Sequence, residues 1–201
     1  MKMRQHPLFS NVYSKVNNSN TKLFFKEFCK KPGSVGSICP SSNKLARHMA
    51  TKVNKGSGLV IELGAGTGVV TQALLKNEAI AKRLMVIEKA PNFALHLQKR
   101  FPNAFILQGD AANLSALLPK DSKVDAIVSS LPLRAFPNHL VKAITQEWLK
   151  VLEPDGIVIQ FTYALYNTKK FIQHGFYESA NEIIWANLPP ARIQILKALK
   201  Q

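Results

Sequence analysis

Between Val60 and Gly68 the chain reads V-I-E-L-G-A-G-T-G, and that stretch limits the fold more than any other. Gly58 to Leu63 has the near-continuous apolar character of a parallel strand buried on both faces. Thr67 to Lys76 then places Val70, Ala73 and Leu74 on one helical face. Glycines at 64, 66 and 68 let the backbone turn sharply and let a ligand approach to main-chain distance, where a Cβ would intrude. The strand, turn and helix together form a small-molecule cradle.

The spacing selects the ligand. A dinucleotide turn reads G-x-G-x-x-G and sets a pyrophosphate on the helix N-terminus. Here the order is G-x-G-x-G, preceded by Glu62, and an acid in that place suits a cationic amino-acid end better than a diphosphate. Together they resemble motif I of the class I S-adenosylmethionine-dependent methyltransferases. A second apolar run, Leu84 to Ile87, ends in Glu88, and an acid at such a strand tip accepts hydrogen bonds from ribose hydroxyls. A third, Ala104 to Leu107, leads to Gly109-Asp110-Ala111, where methyltransferases of this class hold the adenine amino group. The resemblance implies an S-adenosylmethionine site built from Glu62, Gly64, Ala65, Gly66, Gly68, Glu88, Lys89, Gly109, Asp110, Ala111 and Ser129, with S-adenosylhomocysteine as the product.

A chain of 201 residues, 46% of them hydrophobic, is one α/β domain with short additions. Cys29 and Cys39 form no C-x-x-C pair and the five histidines are scattered, so neither a disulfide scaffold nor a metal site is implied. The first residues lack the apolar core of a secretory signal, and no uninterrupted apolar span is of membrane-crossing length. The expected location is the cytoplasm. Charge is distributed unevenly: residues 1–55 hold eleven basic residues against the single acid Glu27, and residues 56–201 hold sixteen against eleven. Such a patch attracts a polyanion, either nucleic acid or an anionic membrane face. The charge sets off residues 1–55 as a basic N-terminal helical extension, expected to act as a membrane or substrate lid, and the resemblance implies a methyltransferase domain over residues 56–201.

Within the extension, Pro7 starts a helix with Leu8, Phe9, Val12, Tyr13 and Val16 at helical intervals. A second helix begins near Thr21. Lys22, Lys26 and Lys30 line one side of it, and Phe24, Phe25 and Phe28 fall roughly opposite. Either the phenylalanines pack on the domain and the lysines face water, or the helix lies in a membrane interface with its lysines on anionic headgroups. Lys31-Pro32-Gly33 ends it, and Ser41 or Ser42 caps a further helix carrying Leu45, Ala46, Met49, Ala50 and Val53 on its apolar face.

Past the third strand the pattern predicts a short helix over Asn113 to Leu118 and a fourth strand over Val124 to Ser129. A long helix follows from Pro137 through Leu152, then a turn at Pro154-Asp155-Gly156 and a strand over Ile157 to Tyr163. Tyr177 to Trp185 and Arg192 to Leu196 form a closing hairpin around Asn187-Leu188-Pro189-Pro190. Strands alternating with helices and then a terminal hairpin give a Rossmann-like class I methyltransferase fold. Its seven-stranded sheet is expected to be mostly parallel, with an antiparallel C-terminal hairpin and an N-terminal helical extension.

Ser130-Leu131-Pro132-Leu133 lies at the carboxyl end of the fourth strand, where ligands bind in open α/β sheets. Amino-directed methyltransferases carry N-P-P-Y or N-L-P-Y type sequences there. This chain has Ser130 for Asn and Leu133 for the aromatic, and a leucine cannot supply base stacking worth ~1–3 kcal/mol. A non-planar amine is favoured over a nucleobase. The stretch F-F-K-E-F-C-K-K-P-G-S-V-G-S-I-C-P-S-S with L-A-R-H-M-A, then V-S-S-L-P-L-R, then N-L-P-P-A-R, resemble the bacterial phosphatidylethanolamine N-methyltransferases of the soluble, membrane-associating type. Near relatives methylate phosphatidylethanolamine or ornithine lipids. The resemblance implies N-methylation of a membrane-lipid amine, phosphatidylethanolamine first and ornithine lipid second, by a protein held at the inner face of the cytoplasmic membrane. The partners are then an anionic membrane surface and an amine-bearing lipid.

Methyl transfer from a sulfonium needs a neutral amine in line with the carbon, so orientation supplies most of the rate. The Ser130 hydroxyl and the carbonyls around Ser130 and Leu131 are assigned to the amine, Leu133 to the approach and Arg134 to the lipid phosphate. The amine proton goes to water or to Tyr163. Two other readings compete: an adenine N6-methyltransferase of the ribosomal dimethylase type, for which nucleic acid is the partner, and a catalytically silent module that binds S-adenosylmethionine. Leu133 opposes the first, and Glu62, Glu88 and Asp110 oppose the second.

Overall fold

Five short apolar segments become the parallel core of the sheet because each is bounded by residues that stop a strand. The computed structural model describes residues 42–53, 56–165 and 174–199. Residues 1–41, with the expected membrane-binding set Lys22, Phe24, Phe25, Lys26, Phe28 and Lys30, lie outside the described residues.

In chain order the elements are α1 (Asn43–Thr51), β1 (Leu59–Leu63), α2 (Val69–Leu75), α3 (Glu78–Ala81), β2 (Leu84–Glu88), α4 (Pro91–Arg100) and β3 (Phe105–Gln108). A 3-10 turn (Ala111–Asn113) leads into α5 (Leu114–Leu117), β4 (Val124–Ser129), α6 (Asn138–Val151), β5 (Leu152–Thr162), β6 (Phe176–Ile184) and β7 (Ala191–Ala198). The seven strands form one sheet in the order β3-β2-β1-β4-β5-β7-β6. β7 runs antiparallel to both β5 and β6, and the other pairings are parallel. The chain has the class I methyltransferase fold, with its two halves wound outward from β1 and β4.

Alternation along the strands sorts the core into two layers. Val60, Val86, Val128 and Ile159 face α1, α2 and α4, through Leu45, Met49, Val70, Leu74 and Leu97. Ile61, Ile87, Ile127 and Val158 face α5 and α6, through Leu114, Val141, Ile144 and Trp148. Trp148 packs edge-on against Phe176 with ring centres 6.0 Å apart, which ties α6 to the terminal hairpin. α1, expected within the N-terminal extension, is integral to the domain: Leu45, Ala46 and Met49 are fully buried. Ser42 is its cap, its hydroxyl accepting the Leu45 N–H at 3.1 Å.

Three departures have physical reasons. The turn expected at Pro154-Asp155-Gly156 is an irregularity inside β5: Val124 pairs with Leu152 and Ala126 with Ile157, so four β5 residues oppose Asp125 alone. The short helix expected from Asn113 begins instead as the 3-10 turn, because the Asp110 carboxylate accepts the Ala112 N–H at 3.0 Å and caps it early. α3 and α4 are additional helices, and α4 starts at Pro91 with no side-chain cap.

The amino edge of the sheet is pinned by a small ionic knot. Asp125 Oδ2 accepts from the Gly58 N–H at 2.8 Å and from Arg83 at 2.9 Å, and the same guanidinium donates to the Gly58 carbonyl at 2.7 Å. Arg83 is only 10% exposed. Asp125→Ala is therefore expected to cost about 2–3 kcal/mol by leaving a sequestered guanidinium and an amide short of their acceptor. Urea unfolding checks this, and a loss below about 0.5 kcal/mol would reduce the knot to a surface pair.

Candidate functional site

The ends of β2, β1 and β4 are laced together by backbone hydrogen bonds. Gly64 N–H donates to Ile87 O at 3.0 Å, Ser130 N–H to Leu63 O at 2.9 Å and Gly109 N–H to Glu88 O at 3.1 Å. The glycine turn, the two strand tips and the Ser130 turn therefore lie on one carboxyl edge.

Gly64, Gly66 and Gly68 all have φ in the left-handed region, at 73°, 54° and 83°, but they serve different purposes. A Cβ on Gly64 would come within 2.7 Å of the Leu131 side chain, so the glycine turn and the Ser130 turn are in contact. A Cβ on Gly68 would strike Leu97 and Phe101, both at 2.7 Å, so this glycine lets α4 pack on the start of α2. At Gly66 a Cβ would meet nothing within 4 Å among the described residues. Gly66 borders open space, which is the form of a ligand cradle.

Glu88 holds that turn in place. Its carboxylate accepts from Gly66 N–H on one oxygen and Ala90 N–H on the other, each at 2.9 Å. About two of its roughly four acceptor positions remain for ribose hydroxyls. Burial raises its pKa, while the amides of Ala90, Gly66 and Lys89 oppose the rise. Asp110 is similarly engaged, accepting from Ala112 N–H on one oxygen and from the Lys89 ammonium at 2.6 Å on the other. Ala111 is buried behind it, and a Cβ on Gly109 would lie 2.5 Å from Leu117.

Glu62 shares a sheet face with Glu88 and is fully buried. Burial pushes its carboxyl up to about 8, the Thr71 hydroxyl and amide pull the other way, and Glu88 adds repulsion. Thr71 stands close enough to favour the charged form without completing a hydrogen bond, for among the described residues neither Glu62 oxygen nor the Thr71 hydroxyl has a partner. The sequence reading placed a negative charge here. Desolvation favours the neutral form of this carboxyl.

The Ser130 turn departs from expectation in two respects. Leu131 O already accepts from Leu133 N–H at 2.9 Å and from Gln160 Nε2 at 3.0 Å. Both its lone pairs are used, so that carbonyl is not free to face an amine. The same tight turn tucks Leu133 into the core beside α6, where it is buried rather than lining an open approach. Ser129 is buried and its hydroxyl accepts from Leu131 N–H at 3.3 Å. Among the described residues the Ser130 hydroxyl is buried and has no hydrogen-bond partner. It is an uncommitted donor and acceptor directly across from the glycine turn. Arg134 is exposed on the following residues. Tyr163 packs edge-on against Phe161, ring centres 5.7 Å apart, on the α1 and α2 face of the sheet.

Gln160 escaped the sequence reading. It sits opposite Ser129 on β5 and donates to both Leu131 O and Phe161 O, at 3.0 and 2.7 Å. One amide interrupting the apolar run I-V-I-Q-F was the available signal.

The Gly66 cradle, the carboxylates at two strand tips and the orphaned Ser130 hydroxyl fit an adenosyl cofactor with a small acceptor beside it. Comparison with known proteins agrees. Residues 60–156 match the family model described as a methyltransferase domain. The ornithine lipid N-methyltransferase of Singulisphaera acidiphila is 30% identical over 185 residues, covering 89% of this chain and 96% of that protein. Among solved structures, the glycopeptide N-methyltransferase MtfA complexed with S-adenosylmethionine superposes with a TM-score of 0.64 at 13% identity, over 81% of this chain and 96% of that one. The mitomycin 7-O-methyltransferase MmcR gives a TM-score of 0.63 at 16% identity, over 89% of this chain, which spans 58% of that longer protein.

Two measurements test this geometry. Gly66→Ala should cost about 1–2 kcal/mol of stability for its left-handed backbone, yet weaken S-adenosylmethionine binding roughly tenfold or more by calorimetry. Unchanged affinity would move the cofactor off the turn. Glu62 has a folded-state pKa of about 8 against an ordinary 4.5, so the folded protein holds a proton that the unfolded chain has released across that window. Stability should fall as pH rises through it, by at most about 1.4 kcal/mol per pH unit from this group. Glu62→Gln should flatten that slope in urea unfolding at a series of pH values, and an unchanged slope would restore an ionised Glu62.

Proposed function

The chain belongs to the class I S-adenosylmethionine-dependent lipid N-methyltransferases, and from that premise we propose that its acceptor is the free amine of an ornithine lipid. It is an enzyme that methylates a lipid amine. The similarity to the ornithine lipid enzyme, running through nearly the whole of both proteins, carries the choice of headgroup. Phosphatidylethanolamine is the competing acceptor of the same class.

S-adenosylmethionine supplies a methyl group on a sulfonium, which departs as the neutral thioether S-adenosylhomocysteine. The chain itself has to position a neutral amine and stabilise the ammonium that forms, and orientation supplies most of the acceleration. Ser130 is the group we assign to that nitrogen, since its hydroxyl is buried, unpaired and adjacent to the glycine turn. Gln160 positions it indirectly by fixing the Leu131 carbonyl. Leu131 shapes the wall between cofactor and acceptor through its contact with Gly64. Arg134, exposed beside the turn, suits the ornithine carboxylate. Water or Tyr163 takes the amine proton.

Among the described residues no helix is long and apolar enough to cross a membrane. We propose a peripheral position on the inner face of the cytoplasmic membrane, a reading supported by the lipid acceptor and by the basic N-terminal segment, which would contribute attraction.

Incubation with labelled S-adenosylmethionine and separate preparations of ornithine lipid vesicles, phosphatidylethanolamine vesicles and ribosomal RNA decides the acceptor. Label in the ornithine lipid is expected; label confined to phosphatidylethanolamine or RNA overturns the proposal. With the favoured lipid, Ser130→Ala should lower kcat by roughly tenfold while KM changes less, because the hydroxyl acts on charge that develops in the transition state. An effect confined to KM would make Ser130 a binding group only.

A further inference from the structure

The two most exposed large apolar side chains of the described residues sit together at one tip. Trp185 is 67% exposed and Leu188 86% exposed, and both lie in the connection between β6 and β7. That connection is built rather than loose. Asn187 between them is buried, its side-chain oxygen accepting the Ser42 N–H at 3.2 Å and its amide donating to Pro189 O at 2.6 Å. Asn187 N–H also donates to Ile184 O at 3.2 Å. With Asn187 turned inward, its neighbours are held outward.

The tip has a definite place relative to the site. β5 ends at Thr162, which pairs with Arg192 on β7, and Ile184 pairs with Ala191. The connection therefore emerges on the same carboxyl edge as the glycine turn and the Ser130 turn. Beside it, through the Ser42 contact, begins α1. Its outer face presents Lys44, Arg47, His48 and Thr51 around one hollow, and Lys44, Arg47 and His48 are all exposed. Glu182 on β6 pairs with His48 and Lys52 at 3.0 and 2.6 Å, so the cations nearest the start of α1 are Lys44 and Arg47.

We propose that the β6–β7 tip is a membrane-docking element that seats Trp185 and Leu188 in the interface of an anionic bilayer while Lys44 and Arg47 meet its headgroups. An indole with one polar edge suits the headgroup level, and cations flanking an apolar tip complement an anionic surface. The proposal rests on the lipid-amine reading, since a lipid acceptor has to reach a site that opens on this same edge. It locates the contact on described residues of the domain, separately from the helix expected over residues 21–31.

The test uses phosphatidylcholine vesicles with and without phosphatidylglycerol, prepared with brominated acyl chains. The chain has two tryptophans, and Trp148 is fully buried, so quenching by the bromines reports Trp185. Quenching that depends on phosphatidylglycerol is expected. Trp185→Ser with Leu188→Ser should lower vesicle partition roughly tenfold, leave the thermal midpoint near that of the parent and leave methylation of the lipid in detergent micelles unchanged. Leu95→Ser, at an exposed leucine on α4, should leave partition unaltered. Protein that pellets with vesicles while Trp185 stays unquenched overturns the proposal. So does emission already shielded from acrylamide without vesicles, which would mean that residues 1–41 or a second copy cover the tip. Wild-type protein that labels lipid in neither vesicles nor micelles would strike the acceptor reading instead, and the quenching would still decide the docking.

Discussion

A single buried carboxylate sets the geometry of the mouth. Glu88 reaches from the end of β2 to the Gly66 and Ala90 amides, each at 2.9 Å, and so fastens the glycine turn to the neighbouring strand. Without that clamp, a turn containing three glycines would have many conformations to lose on binding a ligand. The held turn places Gly64 against Leu131, and Leu131 is in turn fixed by Gln160. Cofactor turn and acceptor turn are thus joined by a continuous line of contacts. A change at Gln160, on the far side of β4, is transmitted to the site through backbone position rather than through charge.

The two acids on this sheet face have diverged in role because their surroundings differ. Glu88 receives backbone hydrogen bonds that offset its burial. Glu62 receives none of full geometry and is pushed up to about 8, with Glu88 adding to the shift. Two neighbouring carboxyls in a medium of low polarity cannot both ionise cheaply. The one with amides bears the charge more easily, and in the other burial favours the protonated form.

Much of this was legible in the chain. Short apolar runs gave β1 to β4 and their alternation with helices, because a fully buried strand permits few polar residues and a parallel sheet needs helices between strands. A serine cap at position 41 or 42 and the terminal hairpin followed from local chemistry alone, and the structure selects Ser42. What could not be read depends on contacts between distant residues. The commitment of the Leu131 carbonyl requires knowing that Gln160 lies across β4, and the burial of Leu133 follows from a turn only three residues long. α4 carries no side-chain cap and buries only Ala94 and Leu97, so its pattern was faint. The neutral state of Glu62 is a property of burial, which a one-letter code does not hold.

Leu133 illustrates how a sequence argument can reach a sound conclusion by an incomplete route. Its lack of a ring removes base stacking, as the sequence suggested, but the side chain does not then offer an apolar wall to the acceptor, because it is consumed by the core beside α6. Space at the site is governed instead by Leu131, which presses on Gly64, and by whatever stands over the open side of Gly66. A lipid acceptor also brings a constraint that a soluble one lacks: its acyl chains stay in the bilayer, so with the proposed acceptor site only the headgroup would travel to Ser130. On the proposed reading the protein would bring its carboxyl edge close to the surface rather than wait for the substrate to diffuse in. An edge that ends in a rigid hairpin, fixed to α1 by Asn187, meets that demand, since a loose loop would spend its apolar contact on its own ordering.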